Sequence, residues 1–406
     1  MTGKTILILG GGVGGIVTAN ALRERLGPEH RVVVVDKLAK YVFTPSLLWV
    51  MVGWRQPRQI TKDLRRLVHS EVEVIAAEVQ EIDLDGQRVT TSTGVLPYDY
   101  LVVALGAELA HTAMPGFVEA AHTPYDLEGA TRLWSDLQKF EGGRVAIVVS
   151  SMPYKCPAAP YETALLLDDH LRRRGIRSRC EVEVYTPETL PMGVAGPGMG
   201  HAVVGMLAEK DIRFNPKLQL SRIDPERSEL VFADRETATF DFLTGVPPHR
   251  APRVVADTRL ANEAGWIPID RRTLQTSVEN VYAIGDVTHN ALANGLPLPK
   301  AAVFADGQGR AVAQRIVEEV TGKGAQAEFD GLGFCWIESG GGSAGLASGE
   351  FYIEPDPVVP LPRSGRMWHW GKILFEKYWL GEGVTRSVTR LGLRAAARVF
   401  GIPVSL

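Results

Sequence analysis

Four residues near the N-terminus have the types and spacing to bind a dinucleotide. Gly10, Gly12 and Gly15 form a G-x-G-x-x-G turn between a predicted strand and a predicted helix, and Asp36 ends the next predicted strand about 20 residues on. The glycines permit a tight turn, close approach of the backbone to a pyrophosphate, and close packing of helix on strand. The helix N-terminus offers N–H groups to phosphates, and Asp36 can accept a hydrogen bond from a ribose hydroxyl. The pattern predicts an adenine dinucleotide site.

Two of the three cysteines stand where a thiol can do chemistry. Cys156 lies just before a predicted helix N-terminus, where the helix dipole favours a thiolate, and Glu162 follows in the first turn of that helix. Cys335 lies among three glycines, which predicts a loop free to approach another stretch of backbone. Cys180 opens a predicted strand and is expected to be a buried structural thiol. From the residues alone, unpaired thiols in a cytoplasmic protein remain the alternative to a redox pair.

A second strand–helix–strand unit lacks the glycines of the first. We predict strands over Val145–Val149 and Val182–Thr186 with a helix over Glu162–Arg174 between them. The turn over Ser150–Glu162 contains no glycine, and its prolines remove backbone donors while its side chains block close approach of a phosphate. This unit is therefore expected not to bind NAD(P)H.

Two later segments are predicted to belong to the first nucleotide site. Residues 98–107 read as a buried strand that ends on a glycine turn at Gly106. Residues 280–286 read as a strand that ends on Gly-Asp, and Asp286 there can reach a ribityl hydroxyl of FAD. The order of the glycine turn, the Leu-Gly-Ala strand and the Ile-Gly-Asp strand is a stronger signal than any one of them alone.

Composition is that of an ordinary soluble α/β protein. The chain has 406 residues, 45% of them hydrophobic and 22% charged, with a formal net charge of −3, which argues against nucleic-acid binding. Three cysteines are too few for a disulfide scaffold. The first strand begins by Ile6, which leaves no room for a signal peptide, and no apolar run reaches the roughly 20 residues that span a bilayer. We therefore expect a cytoplasmic protein.

The C-terminal residues 364–406 carry an excess of positive charge. Seven basic residues stand against two acidic ones, which gives the segment a net charge of +5 on a body of −8. The basic residues are Arg366, Lys372, Lys377, Arg386, Arg390, Arg394 and Arg398. Such a tail predicts an anionic partner surface.

The spacing in this tail is typical of amphipathic helices. The arginines from 386 to 398 recur every fourth residue and form one band, while Val388, Leu391, Ala395 and Val399 form another face. An apolar stripe of Met367, Trp370, Leu374 and Tyr378 precedes them, with Trp368, Phe375 and Trp379 nearby. The pattern predicts helices that lie in the interface of an anionic membrane; the alternative is a helix that docks on the core or on a second subunit.

Taken together, these segments resemble the two-dinucleotide-binding-domain flavoproteins, and within them the sulfide:quinone oxidoreductases and the flavin subunit of flavocytochrome c sulfide dehydrogenase. The resemblance covers nearly the whole chain. The matching segments are Phe43-Thr44-Pro45-Ser46, Cys156-Pro157 with Pro160-Tyr161-Glu162, Leu298-Pro299-Lys300, Cys335, Trp370-Gly371-Lys372 and Phe375-Glu376-Lys377-Tyr378.

The resemblance implies FAD as the cofactor, held at Gly10, Gly12, Gly15, Asp36, Pro45, Gly106, Asp286 and Lys300. It pairs Cys156 with Cys335 as the redox couple. Glu162 is either a proton carrier beside Cys156 or an acidic residue that stabilises the first turn of its helix. Hydrosulfide attacks their disulfide and leaves a persulfide and a thiolate, and two electrons pass through FAD to quinone. Lys300 is expected to stabilise the negative charge of the reduced flavin. No metal site is assigned.

Two departures from the family concern the attachment of flavin. Quinone-reducing members often carry a further cysteine where this chain reads Ala121-His122-Thr123, and flavocytochrome members can use one near the loop that here reads Phe43-Thr44-Pro45. Neither segment has a cysteine, so FAD is expected to be bound without a covalent bond.

We therefore predict an α/β fold with two Rossmann-like, glutathione-reductase-like domains and a C-terminal amphipathic helical membrane-anchoring segment. The FAD domain is predicted at residues 1–112 and 243–335, the second domain at 113–242 and the membrane-association region at 336–406. Expected partners are sulfide or a related sulfur species, membrane quinone and an anionic membrane surface at the inner face of the cell membrane. No nucleic acid is expected, and a homo-oligomer is left open.

Three other functions remain open from the sequence. A type-II NADH:quinone dehydrogenase conflicts with the glycine-free second turn. A flavocytochrome-type sulfide dehydrogenase subunit needs a haem partner. A flavin-bound regulator without catalysis is the third alternative.

Overall fold

The structure is a computed structural model that describes residues 3–324, 326–362 and 364–401. Its strands are β1 (Thr5–Leu9), β2 (Arg31–Asp36), β3 (Lys40–Val42), β4 (Thr61–Asp63), β5 (Glu73–Ala76), β6 (Val79–Asp83), β7 (Arg88–Thr91), β8 (Gly94–Pro97), β9 (Tyr100–Val103), β10 (Glu108–Leu109), β11 (Gly143–Val149), β12 (Cys180–Tyr185), β13 (Ile212–Asn215), β14 (Leu220–Asp224), β15 (Glu229–Phe232), β16 (Thr237–Thr239), β17 (Phe242–Val246), β18 (His249–Arg250), β19 (Ile267–Pro268), β20 (Val281–Ala283), β21 (Thr288–His289), β22 (Leu332–Gly340) and β23 (Ser343–Glu350). Its α-helices are α1 (Val13–Arg23), α2 (Leu47–Val50), α3 (Phe117–Ala120), α4 (Leu127–Leu137), α5 (Ala159–Arg173), α6 (Pro197–Ala208), α7 (Arg253–Ala256), α8 (Ala302–Thr321), α9 (Arg366–Leu380) and α10 (Gly383–Phe400).

The first nucleotide-binding unit is a parallel sheet in the order β20-β9-β1-β2-β5. Its central strands are continuous apolar runs because both faces of the sheet are covered, by α1 and α8 on one side and by β6, β7 and α7 on the other. Ile6 to Leu9 are fully buried. The carboxyl ends of β1, β9 and β20 meet at one edge. This edge brings Gly10, Gly106 and Gly285 together, as the sequence predicts, at the place where open α/β sheets bind ligands.

Helices α1 and α8 cross closely beside this sheet. A Cβ at Gly309 of α8 would lie 2.9 Å from the carbonyl oxygen of Gly14 on α1, so only glycine allows this approach. The contact sets the position of the α8 N-terminus near the glycine turn.

The second unit is a parallel sheet in the order β13-β12-β11-β17, which confirms the predicted second Rossmann-like fold. Helix α5 begins at Ala159, three residues before the predicted start at Glu162. Pro160 does not prevent this because a proline in the first helical turn needs no N–H partner. Cys180 opens β12 and is buried, as expected.

Cys335 lies in a strand, so the predicted flexible loop is wrong. It belongs to β22, which pairs with β23 as an antiparallel hairpin, and Cys335 faces Ala347 across the pair. Gly333 serves close packing here: a Cβ at this position would lie 2.3 Å from the Phe304 ring of α8. The predicted domain boundary after residue 335 therefore falls inside a strand.

Helix α9 is part of the protein core along much of its length. Tyr378 and Trp379 are buried, and Trp379 stacks on Tyr41 with ring centroids 6.0 Å apart. The predicted apolar stripe is therefore divided, since Trp370 and Met367 are 64% and 47% exposed. Its buried half binds the first domain and is not available to a membrane.

Helix α10 is amphipathic, as predicted. Thr389, Leu393 and Ala397 face the protein and are buried. The opposite face exposes Val384, Val388, Leu391 and Val399 by 79%, 63%, 71% and 76%. Within residues 3–324, 326–362 and 364–401, no helix is both long and apolar enough to cross a bilayer. Residues 402–406 of the predicted membrane region lie outside the described part.

Candidate functional site

The glycine turn after β1 forms a cradle open on one side. Gly10 has a φ of 107°, and a Cβ there would lie 2.3 Å from the Ala104 carbonyl oxygen. A Cβ at Gly15 would lie 1.9 Å from the Gly10 carbonyl oxygen, so this glycine holds α1 against β1. A Cβ at Gly12 would meet no atom within 4 Å, because Gly12 faces a cavity. The turn therefore leaves space for a phosphate beside the α1 N-terminus.

Asp36 is fixed at the edge of the same cavity. Its Oδ2 accepts a hydrogen bond from the Gly11 N–H at 3.0 Å, and its Oδ1 accepts from the N–H groups of Leu38 and Ala39 at 3.0 and 2.9 Å. A carboxylate has about four lone-pair sites, so the oxygens can accept a further bond. The position fits the expected ribose hydroxyl.

The cavity has a volume of about 430 Å³ and runs from the glycine turn to the cysteines. All of the predicted site residues line it except Gly10 and Gly15, which pack behind it. The predicted residues on its wall are Gly12, Asp36, Pro45, Gly106, Cys156, Glu162, Asp286, Lys300 and Cys335. Residues as far apart in sequence as Gly12 and Cys335 are thus brought to one cavity.

Lys300 is buried beside the N-terminus of α8. Its Nζ donates to the carbonyl oxygens of Asp286 and Thr288 at 2.6 and 2.9 Å and lies 3.7 Å from the centre of the Trp266 ring. Burial lowers the pKa of Lys300 to about 8, although Asp286 opposes the shift. A desolvated ammonium beside a helix N-terminus can stabilise an anion in the cavity.

Cys156 is held in a tight backbone turn ahead of α5. It has a left-handed φ of 53°, its N–H donates to the Lys300 carbonyl at 2.7 Å, and its carbonyl accepts from the Tyr125 hydroxyl at 3.2 Å. Cys335 projects from β22 onto the same cavity. All three cysteines are free thiols in this structure, and the pairing of Cys156 with Cys335 stays a prediction.

The expected low pKa of Cys156 is wrong for this state. Burial and the Glu162 carboxylate raise the pKa of the Cys156 thiol to about 12, and Lys372 with the Ala159 N–H offsets only part of this. Burial, Cys156 and Glu162 likewise raise the pKa of Cys335. Since Cys156 lies three residues before α5, desolvation outweighs the helix dipole.

A buried charge cluster adjoins the cysteines. Lys372 of α9 lies with its Nζ 3.1 Å from Glu162 Oε1 and 3.7 Å from Glu338 Oε1. The Glu338 N–H also donates to Glu162 Oε1 at 3.0 Å. Burial raises the pKa of Glu162 against the opposing effect of Lys372, while the two carboxylates outweigh burial and raise the pKa of Lys372. Lys372 stays an ammonium, and Glu162 can gain or lose a proton.

Sequence reasoning missed Lys372 and Glu338. The charge pattern of the tail predicts that Lys372 is a surface residue, but this residue is only 3% exposed. Glu338 is fully buried. One signal was available: Gly371 and the aromatic residues around Lys372 are typical of a packed helix face rather than a solvated one. Glu376, one turn later, is likewise buried and pairs with Arg55 at 2.8 Å.

A second cavity of about 460 Å³ meets the first at the two cysteines. Its wall is largely apolar, and Met152 and Leu296 at its rim are exposed. Glu188 lies on this wall, where its carboxylate accepts hydrogen bonds from the hydroxyls of Tyr154 and Tyr161. Cys156 and Cys335 line both cavities. They therefore stand between two compartments.

The comparisons with known proteins agree with this geometry. The sequence model of the pyridine nucleotide-disulphide oxidoreductase family matches residues 4–309. The chain is 26% identical to the mitochondrial sulfide:quinone oxidoreductase of Mus musculus over 96% of this chain and 90% of that protein. It is 29% identical to the sulfide-quinone reductase of Aquifex aeolicus over 93% and 90%. The crystal structure of the Aquifex aeolicus sulfide:quinone oxidoreductase superposes with a TM-score of 0.82 at 27% identity, covering 92% of this chain and 90% of that one.

Proposed function

The chain belongs to the pyridine nucleotide-disulphide oxidoreductase family, and we propose that it is a sulfide:quinone oxidoreductase. In this function two electrons pass from sulfide through a cysteine pair and FAD to a membrane quinone. The observation that carries the proposal is the position of Cys156 and Cys335 at the junction of the two cavities. The similarity to the proteins of Mus musculus and Aquifex aeolicus supports the same activity.

FAD fits the first cavity by the chemistry of its wall. Gly12 leaves room for the pyrophosphate, Asp36 and Asp286 offer carboxylates to ribose and ribityl hydroxyls, and Lys300 offers a cation to the flavin end. When bound, FAD supplies a two-electron acceptor that can in turn reduce a quinone. Cys156 and Cys335 are the only cysteines on the wall, and the proposed redox couple uses both, so FAD is held without a covalent bond.

The cysteine pair receives sulfide from the second cavity. In the oxidised enzyme, hydrosulfide attacks one sulfur of a Cys156–Cys335 disulfide; the S–S bond breaks, a persulfide forms on one cysteine and a thiolate leaves on the other. Because burial raises the pKa of both thiols, a free thiolate here is high in energy and a ready electron donor. Glu162 accepts the proton that the sulfur species loses.

We further propose that the enzyme binds the inner face of the cell membrane through α10. Its exposed apolar residues, with Trp370 of α9, form an apolar surface, and Arg394 and Arg398 are exposed on the same helix. An apolar surface flanked by cations suits an anionic bilayer, in which the quinone is dissolved.

Steady-state reduction of decylubiquinone by the FAD-loaded protein in detergent tests the function. Sulfide is expected to support quinone reduction, and NADH is not. Turnover with NADH at the sulfide rate would instead indicate a type-II NADH:quinone dehydrogenase. Failure of both donors would favour the non-catalytic alternative.

A further inference from the structure

The buried charge cluster continues beyond Glu338 to a surface cleft that shares no lining residue with either cavity. His369 of α9 has its Nδ1 within 3.0 Å of Glu338 Oε2, and its side chain is 14% exposed. It lies on the wall of a cleft of about 400 Å³. The other residues on that wall are Trp49, Trp54, Arg55, Arg173, Gly342 and Ile373. His369 is therefore the point at which the cluster meets solvent on this side.

His369 is the one imidazole among the residues that the structure describes on the wall of the cleft. Arg55 pairs with Glu376 and Arg173 with Asp169, each at 2.8 Å, and a guanidinium stays charged. The rings of Trp49 and Trp54 lie edge-on to His369 at 5.8 and 5.9 Å. An imidazole can accept a proton at one ring nitrogen and donate one at the other, so His369 can pass a proton from the cleft to Glu338.

The charges of the cluster favour a mobile proton. Two carboxylates, Glu162 and Glu338, surround one ammonium, Lys372, so the three groups carry one negative charge in excess. A proton on His369 balances that charge, and so does a proton on Glu162. Moving a proton between these two ends leaves the net charge of the buried cluster unchanged, which avoids the cost of an uncompensated buried charge.

We propose that His369 and Glu338 form a proton entry path from the cleft to Lys372 and Glu162 at the cofactor cavity. A proton passes from His369 to Glu338. As Lys372 gives one of its ammonium protons to Glu162, it recovers one from Glu338 and remains an ammonium. The inference rests on the proposed function, in which HS⁻ yields sulfane sulfur, one proton and two electrons, and the quinone takes two electrons and two protons. Each turnover thus draws one proton from solvent, and the path supplies it.

The test separates this path from the sulfur chemistry. The flavin of the holoenzyme is reduced photochemically without sulfide, and its reoxidation by decylubiquinone is followed by stopped-flow absorbance from pH 6 to 8. His369→Gln keeps a hydrogen-bond donor to Glu338 but cannot relay a proton. We expect it to slow reoxidation by about 10² or more, with the deficit growing as pH rises. His369→Ala removes the ring and opens a space beside Glu338, so added imidazole should restore the rate of this variant.

Two further variants complete the experiment. His122→Gln, a half-buried histidine in the second domain near Asp136, should behave as wild type with and without imidazole. Glu338→Gln should be slow and should not respond to imidazole, because it interrupts the path deeper in the protein. A His369→Gln enzyme with wild-type reoxidation, one slowed equally at every pH, or a His369→Ala enzyme insensitive to imidazole would overturn the proposal. Failure of sulfide to reduce the flavin would refute the proposed function without altering this result.

Discussion

The ammonium of Lys372 lies 3.1 Å from the Glu162 carboxylate, although 210 residues separate them in sequence. Both side chains are almost fully buried, and both line the cavity with Cys156 and Cys335. The C-terminal helix α9 therefore completes the candidate active site. Because α9 belongs to the segment that the sequence predicts as a membrane tail, this contact ties that segment to the second domain.

The raised pKa of Glu162 makes stability depend on pH. The folded protein binds a proton at Glu162 more tightly than the unfolded chain does, so this group stabilises the fold at low pH and the contribution is lost as pH rises above about 4.5. Glu162→Gln removes this titration. The free energy of unfolding of this variant relative to wild type, measured by denaturant titration, should increase between pH 5 and pH 8 with a limiting slope of about 1.4 kcal/mol per pH unit. Parallel pH profiles for the two proteins would contradict the assignment.

Both redox cysteines should be necessary for flavin reduction by sulfide. Cys156→Ser and Cys335→Ser each remove one sulfur of the proposed disulfide and should abolish the rapid bleaching of flavin absorbance. Cys180→Ser is the matched control, because Cys180 is buried at the start of β12 and lines neither cavity. An active Cys335→Ser enzyme would exclude the disulfide mechanism.

Lys300 should set the reduction potential of the flavin. With its pKa lowered to about 8, it is charged below that pH and favours anionic reduced flavin. Lys300→Met should lower the midpoint potential at pH 7 by about 30–90 mV, which corresponds to about 1.4–4 kcal/mol. The difference from wild type should shrink as pH rises through 8, because wild-type Lys300 then loses its charge. Lys300→Arg should keep part of the raised midpoint potential, and that part should not change with pH because a guanidinium stays charged. A Lys300→Met variant with the wild-type potential would show that Lys300 lies away from the flavin.

The exposed face of α10 should bind anionic liposomes. Val388→Asp with Leu391→Asp places two charges on that face, and each loses about 1.5–3 kcal/mol of apolar burial, so liposome binding should weaken by at least about tenfold. Val95→Asp, at a residue 56% exposed on β8, is the control and should bind as wild type. Unchanged co-sedimentation of the double variant would indicate that α10 binds a protein partner instead. Deletion of residues 364–406 is unsuitable for this test, because it also removes Lys372 and the buried half of α9.

Local patterns predicted the parts of this site that depend on local geometry. The turn is specified at Gly10 and Gly15 by steric needs that only glycine meets, and Gly12 leaves space for a ligand, so the motif could be read directly. The role of Lys372 depends on α9 docking against β22 and α5, and no spacing along the chain encodes that contact. The prediction of a lowered pKa for the Cys156 thiol was wrong for a related reason. Burial of Cys156 depends on tertiary packing, and its effect on the thiol pKa exceeds that of the helix dipole.

Cys335 illustrates the same limit. Three glycines near it suggested a loop, yet Gly333 is required because the Phe304 ring packs against the strand. A glycine that serves close packing and one that serves flexibility look alike in sequence. The contact with α8 decides between them.

An anaerobic titration of the FAD-loaded protein tests the central claim most directly. Flavin absorbance is recorded as sulfide is added, and in a separate sample as NADH is added. The account predicts that about one equivalent of sulfide per flavin bleaches the absorbance of the disulfide form, whereas NADH leaves it unchanged over the same time. Rapid bleaching by NADH with none by sulfide would contradict it.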